Sequence, residues 1–289
     1  MTRTSLQHLL THTPAHADCR TCRLAKARSS PHTSVDPETR ARTRGLSSYA
    51  ESVTMDHKNV VELGFSGEAK GYILVIQDLW TSFLGTYCSN TKSSEHVLAS
   101  LQHFVGARAA DVKRIHCDNA DELTYAAAQV GSGSTQRTTI VPGDHVNNSI
   151  IEGRIGRLAN SIKCSLHRSG LHHSLWPHAA THSAAADNIT LKNEQNETPF
   201  SLKHPGVDLP CVFPFGSRCD VVLPVEARRE MLASFEPSAM PAIYLGPADE
   251  FGLFTNYILI QDMPGGTKDP NELGLLLFGL KSIIFQDLQ

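Results

Sequence analysis

Apolar residues recur along the middle of the chain with two different periods, and each period marks a run of short elements. Residues 72–78 form a continuous run rich in isoleucine, leucine and valine, which predicts a buried strand. Residues 83–88 follow after a short turn and predict a second strand, so that the two form a hairpin. Three further strands are predicted over 53–57, 112–117 and 138–141.

Helical spacing takes over between the later strands. Residues 93–105 place five apolar side chains on one face, with Ser93 or Ser94 as the N-cap. Further helices are predicted at 120–130, at 149–169 and over 175–188. Three strands followed by alternating helices and strands predict a mixed α/β domain with a central sheet flanked by helices.

The ends of the chain have other patterns. Residues 1–27 hold a dense cluster of histidine and cysteine, and residues 28–50 are polar without apolar periodicity, which predicts a linker. The α/β core is assigned to 51–190, and short strands separated by glycine and proline predict a small β-rich appendix within 191–262. Residues 263–289 form a tail to which no structure is assigned.

Composition limits the classes of protein that fit. The chain has 289 residues, of which 40% are hydrophobic and 19% charged, so it can bury a sizeable core. No stretch approaches the roughly 18–20 apolar residues of a membrane helix, so no membrane partner is expected. The polar N-terminus does not resemble a secretory signal, and seven cysteines favour free thiols or a metal site over a disulfide framework.

Basic residues are concentrated locally although the net charge is −3. Residues 1–45 carry eight Lys and Arg against three acids, and residues 153–175 carry four without any acid. Such segments indicate either a surface for a polyanion or two ordinary solvated faces, and charge alone does not separate these interpretations.

Three carboxylates come from segments that a sheet can bring together. Asp56 lies in the first predicted strand, Asp118 follows the strand at 112–117, and Glu152 lies in the first turn of the helix at 149–169. Two Mg²⁺ ions about 4 Å apart, held by such oxygens, activate an attacking oxygen and stabilise a leaving oxygen in phosphodiester displacement. A chain with 29 acidic residues also contains such trios by chance, so spacing alone leaves both interpretations open.

The residues around these carboxylates resemble the integrase catalytic domain of long-terminal-repeat retrotransposons, particularly the copia-like group. The matching segments are Met55-Asp56-His57, Gly71 to Thr81, Ile115 to Leu123, Pro142 to Glu152, Leu175-Trp176-Pro177, Thr198-Pro199-Phe200, Phe213 to Gly216 and Ile243 to Gly246. The resemblance implies an RNase H-like fold in which Asp56, Asp118 and Glu152 hold Mg²⁺ or Mn²⁺. It implies trimming of element DNA 3′ ends and their transfer to target DNA. Asn119 is expected to orient Asp118 or a phosphate, to cap the next helix, or to do both.

The histidine and cysteine cluster has the spacing His8-x₃-His12-x₆-Cys19-x₂-Cys22. Two imidazoles and two thiolates suit tetrahedral Zn²⁺, and His16 and His32 compete as ligands. The same retrotransposon family carries an HHCC zinc module before its catalytic domain, and residues 1–27 resemble a shortened version of it. A structural zinc site and a degenerate remnant both remain open.

The helix at 149–169 has one apolar face, and Arg154, Arg157 and Arg168 fall on the opposite side. These arginines are expected to be exposed and to contact DNA phosphates, unless they form an ordinary basic helix face. Gly153 and Gly156 each cost about 1 kcal/mol of helix propensity. In this family an arginine usually follows the catalytic glutamate, and retroviral integrases carry DNA-gripping lysines at the positions of Gly156 and Ala159.

The resemblance implies a homo-oligomer bound to element and target DNA, acting in the nucleus after passage through a virus-like particle or the cytoplasm. The chain has no recognisable reverse-transcriptase or protease segment, so it is expected to be part of a Pol polyprotein or of a gene model of one. Two alternatives stay open: a catalytically decayed DNA-binding remnant of an integrase, and a generic RNase H-like nuclease.

Overall fold

The computed structural model describes residues 5–16, 18–25, 46–61, 71–139, 149–222, 238–248, 255–260, 274–279 and 283–285. The strands in these ranges are β1 (Ser52–Val60), β2 (Gly71–Asp78), β3 (Leu84–Ser89), β4 (Arg114–Cys117), β5 (Gln136–Thr139), β6 (Arg218–Val222), β7 (Ala239–Pro247), β8 (Thr255–Ile260), β9 (Gly274–Gly279) and β10 (Ile283–Phe285). The α-helices are α1 (Leu6–Thr11), α2 (Arg20–Ala25), α3 (Ser94–Val105), α4 (Asp121–Gln129), α5 (Ser149–Ser169), α6 (Trp176–Thr190) and α7 (Pro199–Lys203). Two 3₁₀ turns cover Gly106–Asp111 and His173–Leu175.

The first five strands form one mixed sheet in the order β3-β2-β1-β4-β5. β1, β2 and β3 are antiparallel neighbours, whereas β4 runs parallel to β1 and β5 runs parallel to β4. Helices flank this sheet, so the mixed α/β class predicted from the sequence is confirmed.

Alternation along β2 divides the core into two layers. Leu74 and Ile76 pack with apolar residues of α3 and α4 on one face of the sheet. Ile73 and Val75 pack with apolar residues of α5 and α6 on the other face. Because side chains alternate along a strand, a continuous apolar run such as β2 is needed when both faces are covered.

Local signals fix the ends of the helices. Ser93 caps α3 by accepting a hydrogen bond from the His96 amide at 3.1 Å, as expected. α5 covers the range predicted for it, residues 149–169. Thr198 and Ser201 form a capping box at the start of α7, a short helix within the range 191–262 that is predicted to be β-rich.

The later strands form a second five-stranded sheet in the order β10-β6-β7-β8-β9. β9 and β10 fall in residues 263–289, the tail for which the sequence predicts no structure. The predicted linker also needs correction at its end, because Tyr49 and Ala50 are buried in the core with Phe104 and Val97. Residues 28–45, the larger part of that linker, lie outside the described residues.

The N-terminal module, formed by α1 and α2, packs against the core helices α5 and α6. Leu10 is buried with Ala186 and Val212. The Ser161 hydroxyl on α5 donates a hydrogen bond to the Thr11 carbonyl at 2.7 Å, and both residues are buried. Within the described part of the chain, no helix is long and apolar enough to span a bilayer.

Candidate active site and metal centre

Asp56 and Asp118 occupy equivalent positions on two neighbouring strands, Asp56 within β1 and Asp118 directly after β4. Met55 on β1 pairs with Cys117 on β4 in a parallel register, and the two aspartates are the next residue on each chain. Asp56 is half-buried and Asp118 is exposed. Parallel neighbours place equivalent residues at the same edge of a sheet, so the two carboxylates lie side by side where β4 ends.

The buried Cys117 thiol is influenced by both carboxylates. Its pKa is raised to about 12, first by burial and then by the negative charges of Asp118 and Asp56. Each carboxylate is also held by the main chain, because the His57 amide donates to Asp56 Oδ1 at 2.7 Å and the Asn119 amide donates to Asp118 Oδ1 at 2.6 Å. The aspartates therefore have fixed orientations before any ligand binds.

Glu152 lies in the first turn of α5 and is exposed. Met55 points into the layer under α3 and α4, so the next residue, Asp56, faces the layer that α5 covers. The three carboxylates consequently belong to elements that meet on one side of the sheet.

No tight cluster is formed by the three carboxylates. Among the described residues, one group of three or more His, Cys, Asp or Glu has all its ligand atoms within 4.8 Å of one another, and Asp56, Asp118 and Glu152 are not in it. Two ions separated by about 4 Å, each about 2 Å from its ligands, accept carboxylate oxygens as far apart as about 8 Å. The hard oxygen donors, partly exposed and oriented by main-chain amides, fit Mg²⁺ or Mn²⁺.

Asn119 contacts Asp118 through its main chain. The helix after it begins at Asp121, and its N-cap residue is Ala120, which has no side-chain capping hydrogen bond. The expectation that Asn119 is the N-cap residue is therefore wrong, whereas its predicted role in orienting Asp118 stays a prediction for its side chain.

Arg154 does not lie on an exposed face, and this prediction is wrong. Its side chain is only 3% exposed, with Nη1 3.7 Å from Asp187 Oδ2 and Nη2 donating to the Ser82 carbonyl at 3.2 Å. Arg157 and Arg168 are exposed, as expected. Helical periodicity predicts an exposed Arg154 because it takes account of one apolar face only. In the structure α5 has a second buried side, which packs against α6, and Arg154 lies on that side.

The group that does have ligand atoms within 4.8 Å is His8, His12, Cys19 and Cys22, and all four residues are buried. Cys19 Sγ and Cys22 Sγ each lie 3.6 Å from His12 Nδ1, and Cys22 Sγ lies 3.7 Å from His8 Nε2. Zn–S bonds of about 2.3 Å and Zn–N bonds of about 2.0–2.1 Å give a tetrahedral S···N edge of about 3.5 Å. The donor set and its spacing therefore fit zinc.

The other ring nitrogen of His8 is also placed for this role. His8 Nδ1 lies 3.1 Å from the Pro14 carbonyl, which fixes the tautomer that leaves Nε2 as a metal ligand. His16 is not part of the ligand group, and His32 lies outside the described residues. The four residues chosen from the sequence spacing are thus the four that the fold brings together.

Two residues that support these sites are not predicted from the sequence. Asp187 is an acid inside an alanine-rich helix, and Ser161 is a hydroxyl in the buried part of α5. A polar side chain on an otherwise apolar helix face is the signal that indicates such a buried partner.

No protein-family model matches the chain, and no curated protein matches it. Among solved structures, the chain is similar to the simian T-cell lymphotropic virus intasome in complex with PP2A regulatory subunit B56 gamma. The identity is 14%, the TM-score is 0.41, and the match covers 98% of this chain and 95% of that one.

Two catalytic core domains give comparable matches over about half of the chain. The HTLV-2 integrase catalytic core domain in complex with magnesium, in its trimeric form, is 14% identical at a TM-score of 0.41, covering 56% of this chain and all of that one. The BIV integrase catalytic core domain is 12% identical at a TM-score of 0.38, covering 53% of this chain and 93% of that one. At such distances the function proposed below depends on this chain's own residues.

Proposed function

We propose that this protein is the integrase of a copia-like long-terminal-repeat retrotransposon. It is a metal-dependent polynucleotidyl transferase that trims element DNA 3′ ends and joins them to target DNA. The observation that supports this proposal most directly is the equivalent placement of Asp56 and Asp118 after the Met55–Cys117 pair, with α5 carrying Glu152 onto the same side of the sheet.

The three carboxylates would together form the metal-binding set of the proposed reaction. Asp56 and Asp118, oriented by main-chain amides, would hold the metal ions beside the end of β4, and Glu152 would complete the set from the helix. Bound Mg²⁺ or Mn²⁺ lowers the barrier for an oxygen nucleophile to displace a phosphodiester oxygen. The chain itself positions the scissile phosphate and, through Arg157 and Arg168, contacts the DNA backbone.

The accessory features of the proposal follow the same reasoning. His8, His12, Cys19 and Cys22 would hold a structural Zn²⁺ that keeps the N-terminal module folded against α5 and α6. By the resemblance to integrases, the protein works as a homo-oligomer on paired DNA ends in the nucleus, after a virus-like particle or cytoplasmic stage.

A strand-transfer assay tests the proposed reaction. The purified chain is mixed with Mg²⁺ or Mn²⁺, a plasmid, and labelled duplexes that have a recessed 3′ end and randomised terminal base pairs. We expect joined products from the wild type and a loss of at least about 100-fold in Asp118→Asn and Glu152→Gln. Asp121→Asn is the matched control, because Asp121 is an exposed acid three residues after Asp118 and lies outside the triad.

The alternatives give different results in the same assay. Cleavage without joining, lost in Asp118→Asn, identifies a generic RNase H-like nuclease. Salt-dependent DNA binding with no product under either metal identifies a catalytically decayed remnant. Equal products from the wild type and Asp118→Asn would overturn the proposed chemistry altogether.

A further inference from the structure

His57 and Glu122 meet on the face of the sheet opposite to the Asp56 side chain. His57 follows Asp56 on β1, and Glu122 lies in the first turn of α4, four residues after Asp118. Because side chains alternate along a strand, His57 shares the face of Met55, which packs in the layer of α3 and α4. The mechanism described above uses neither side chain.

The His57 ring is buried, and its capacity for hydrogen bonding is not used within the described part of the chain. Its side chain is only 3% exposed, and neither ring nitrogen has a hydrogen-bond partner there. Burial, followed by the positive charges of Lys92 and His96, lowers the pKa of His57 to about 4, so the imidazole is neutral at pH 7. A neutral imidazole carries one N–H donor, and buried donors are normally satisfied.

Glu122 is an acceptor placed close to that donor. Its Oε1 lies 3.6 Å from His57 Nδ1, and its side chain is 17% exposed. An approach of about 0.6 Å turns this contact into a hydrogen bond. Because both side chains are largely shielded from water, such a contact is stronger than it would be on an open surface.

This contact joins the two segments that carry the aspartates, beyond the last residue pair between their strands. β1 and β4 are paired as far as Met55 and Cys117. After that pair, β1 continues through Asp56 and His57, whereas the chain after β4 passes Asp118 and enters α4. The His57 amide donates to Asp56 Oδ1 at 2.7 Å, so a displacement of His57 also displaces that carboxylate.

We propose that the His57–Glu122 contact sets the separation of the two aspartates that are proposed to bind metal. The inference rests on the proposed function and adds two positioning residues to it, neither of which touches the metal or the DNA. Glu122 acts on the His57 ring, and His57 acts on Asp56 through its amide. Groups that orient metal ligands in this way change metal affinity by about 10–100-fold when they are removed.

Binding of Mn²⁺, followed by the electron paramagnetic resonance signal of the free ion, tests the positioning role without catalysis. The probe is Mn²⁺ alone, added to the zinc-loaded full chain without DNA. We expect wild-type binding that is lost in Asp118→Asn. His57→Phe keeps an aromatic ring but removes both nitrogens, and Glu122→Leu removes the acceptor. Each of these two variants should raise the Kd for Mn²⁺ by about 10-fold.

Two further variants separate positioning from the loss of a negative charge near the metal. Glu122→Gln keeps an acceptor oxygen without the charge, so its Kd should stay within about threefold of the wild-type value. His57→Phe/Glu122→Leu should bind Mn²⁺ no more weakly than the single variants, because both substitutions remove the same contact. An effect of charge alone would instead weaken Glu122→Gln and Glu122→Leu equally, which would overturn the positioning role.

Asp121→Asn is the electrostatic control, and Leu101→Ala is the packing control from the same core layer. Asp121→Asn should leave the Kd unchanged, and Leu101→Ala should lower the thermal midpoint without changing the Kd. Wild-type affinity in either His57→Phe or Glu122→Leu would overturn the positioning role while leaving the proposed function standing. Wild-type binding of Mn²⁺ that is absent, or that persists in Asp118→Asn, would overturn the proposed metal chemistry itself.

Discussion

Arg154 on α5 and Asp187 on α6 form a buried ion pair, with Nη1 and Oδ2 3.7 Å apart and side chains only 3% and 9% exposed. Arg154 also donates to the Ser82 carbonyl in the turn between β2 and β3. Because Arg154 follows Glu152 by two residues, these contacts fix the first turns of the helix that carries the proposed catalytic glutamate.

Breaking this pair should destabilise the protein strongly. Arg154→Met leaves the Asp187 carboxylate buried without its arginine, and we expect a loss of about 3–5 kcal/mol in the free energy of unfolding. Arg154→Met/Asp187→Leu should recover most of that loss, since replacing both charges by apolar groups is often close to neutral. Urea unfolding followed by circular dichroism measures both values.

Arg157→Met serves as the control for this cycle, because Arg157 is exposed on the same helix and should change stability by less than about 0.5 kcal/mol. If the losses from Arg154→Met and Asp187→Leu simply add in the double variant, the pair is not a coupled unit.

Zinc should bind once per chain and should stabilise the N-terminal module. The purified protein is expected to contain about one equivalent by elemental analysis, and Cys22→Ser should lose it. Chelation should increase hydrogen exchange in α1 and α2, and also in α5 near Ser161, because Thr11 lies between the proposed ligands and accepts the Ser161 hydroxyl.

Cys211→Ser is the matched control, since Cys211 is exposed and outside the ligand group. Ser161→Ala should keep zinc and cost about 1 kcal/mol of stability from the lost hydrogen bond. Full zinc content in Cys22→Ser, or unchanged exchange after chelation, would contradict the assignment of this cluster.

Glu51 should make the protein sensitive to acid. Hydrogen bonds from Lys113 Nζ at 2.7 Å and from Ser47 lower the pKa of Glu51 from 4.5 to about 2. The stabilisation is present above pH 4.5 and is lost as the pH falls from there to about 2. We expect about 1–2 kcal/mol at pH 7, less than the shift alone implies, because solvent screens the largely exposed Lys113.

Unfolding free energies of the wild type and Glu51→Gln, measured from pH 7 to pH 2, check this dependence. The two curves should converge at the acid end of the range, and Lys113→Met should remove part of the same dependence. A constant gap between the wild type and Glu51→Gln down to pH 2 would show that the carboxylate charge does not act in this way.

The elements predicted from the sequence were those whose signals are local. Ser93 and the apolar residues after it specify α3 without reference to the rest of the fold. The four residues of the His/Cys cluster were also found from spacing, because the cysteines follow the histidines closely in the chain.

Features that depend on distant partners were missed. Arg154 became buried because α6 and the turn at Ser82 pack against it, and neither contact can be read from α5 alone. Among the described residues, β9 pairs with β8 and β10 pairs with β6, so both strands depend on partners outside the tail. Tyr49 falls in the predicted linker because the two rings that it contacts, Phe83 and Phe104, lie 34 or more residues further along the sequence. No local pattern around Tyr49 indicates those contacts.

The glycines of α5 provide a last prediction that separates stability from function. A Cβ at Gly153 or at Gly156 would meet no atom within 4 Å, so Gly153→Ala and Gly156→Ala should each stabilise the protein by about 0.5–1 kcal/mol. Gly216→Ala should do the opposite, since its φ is +78° and an added Cβ would collide with Ser169. Thermal unfolding of the three variants distinguishes these signs, and a loss of stability in Gly156→Ala would contradict the open space around Gly156.

The same glycine separates the proposed integrase from a decayed remnant. If the glycines of α5 only reflect decay, DNA binding should be unchanged in Gly156→Ala and in the bulkier Gly156→Leu. If α5 lies against DNA in the proposed complex, Gly156→Leu should weaken DNA binding while the protein remains folded.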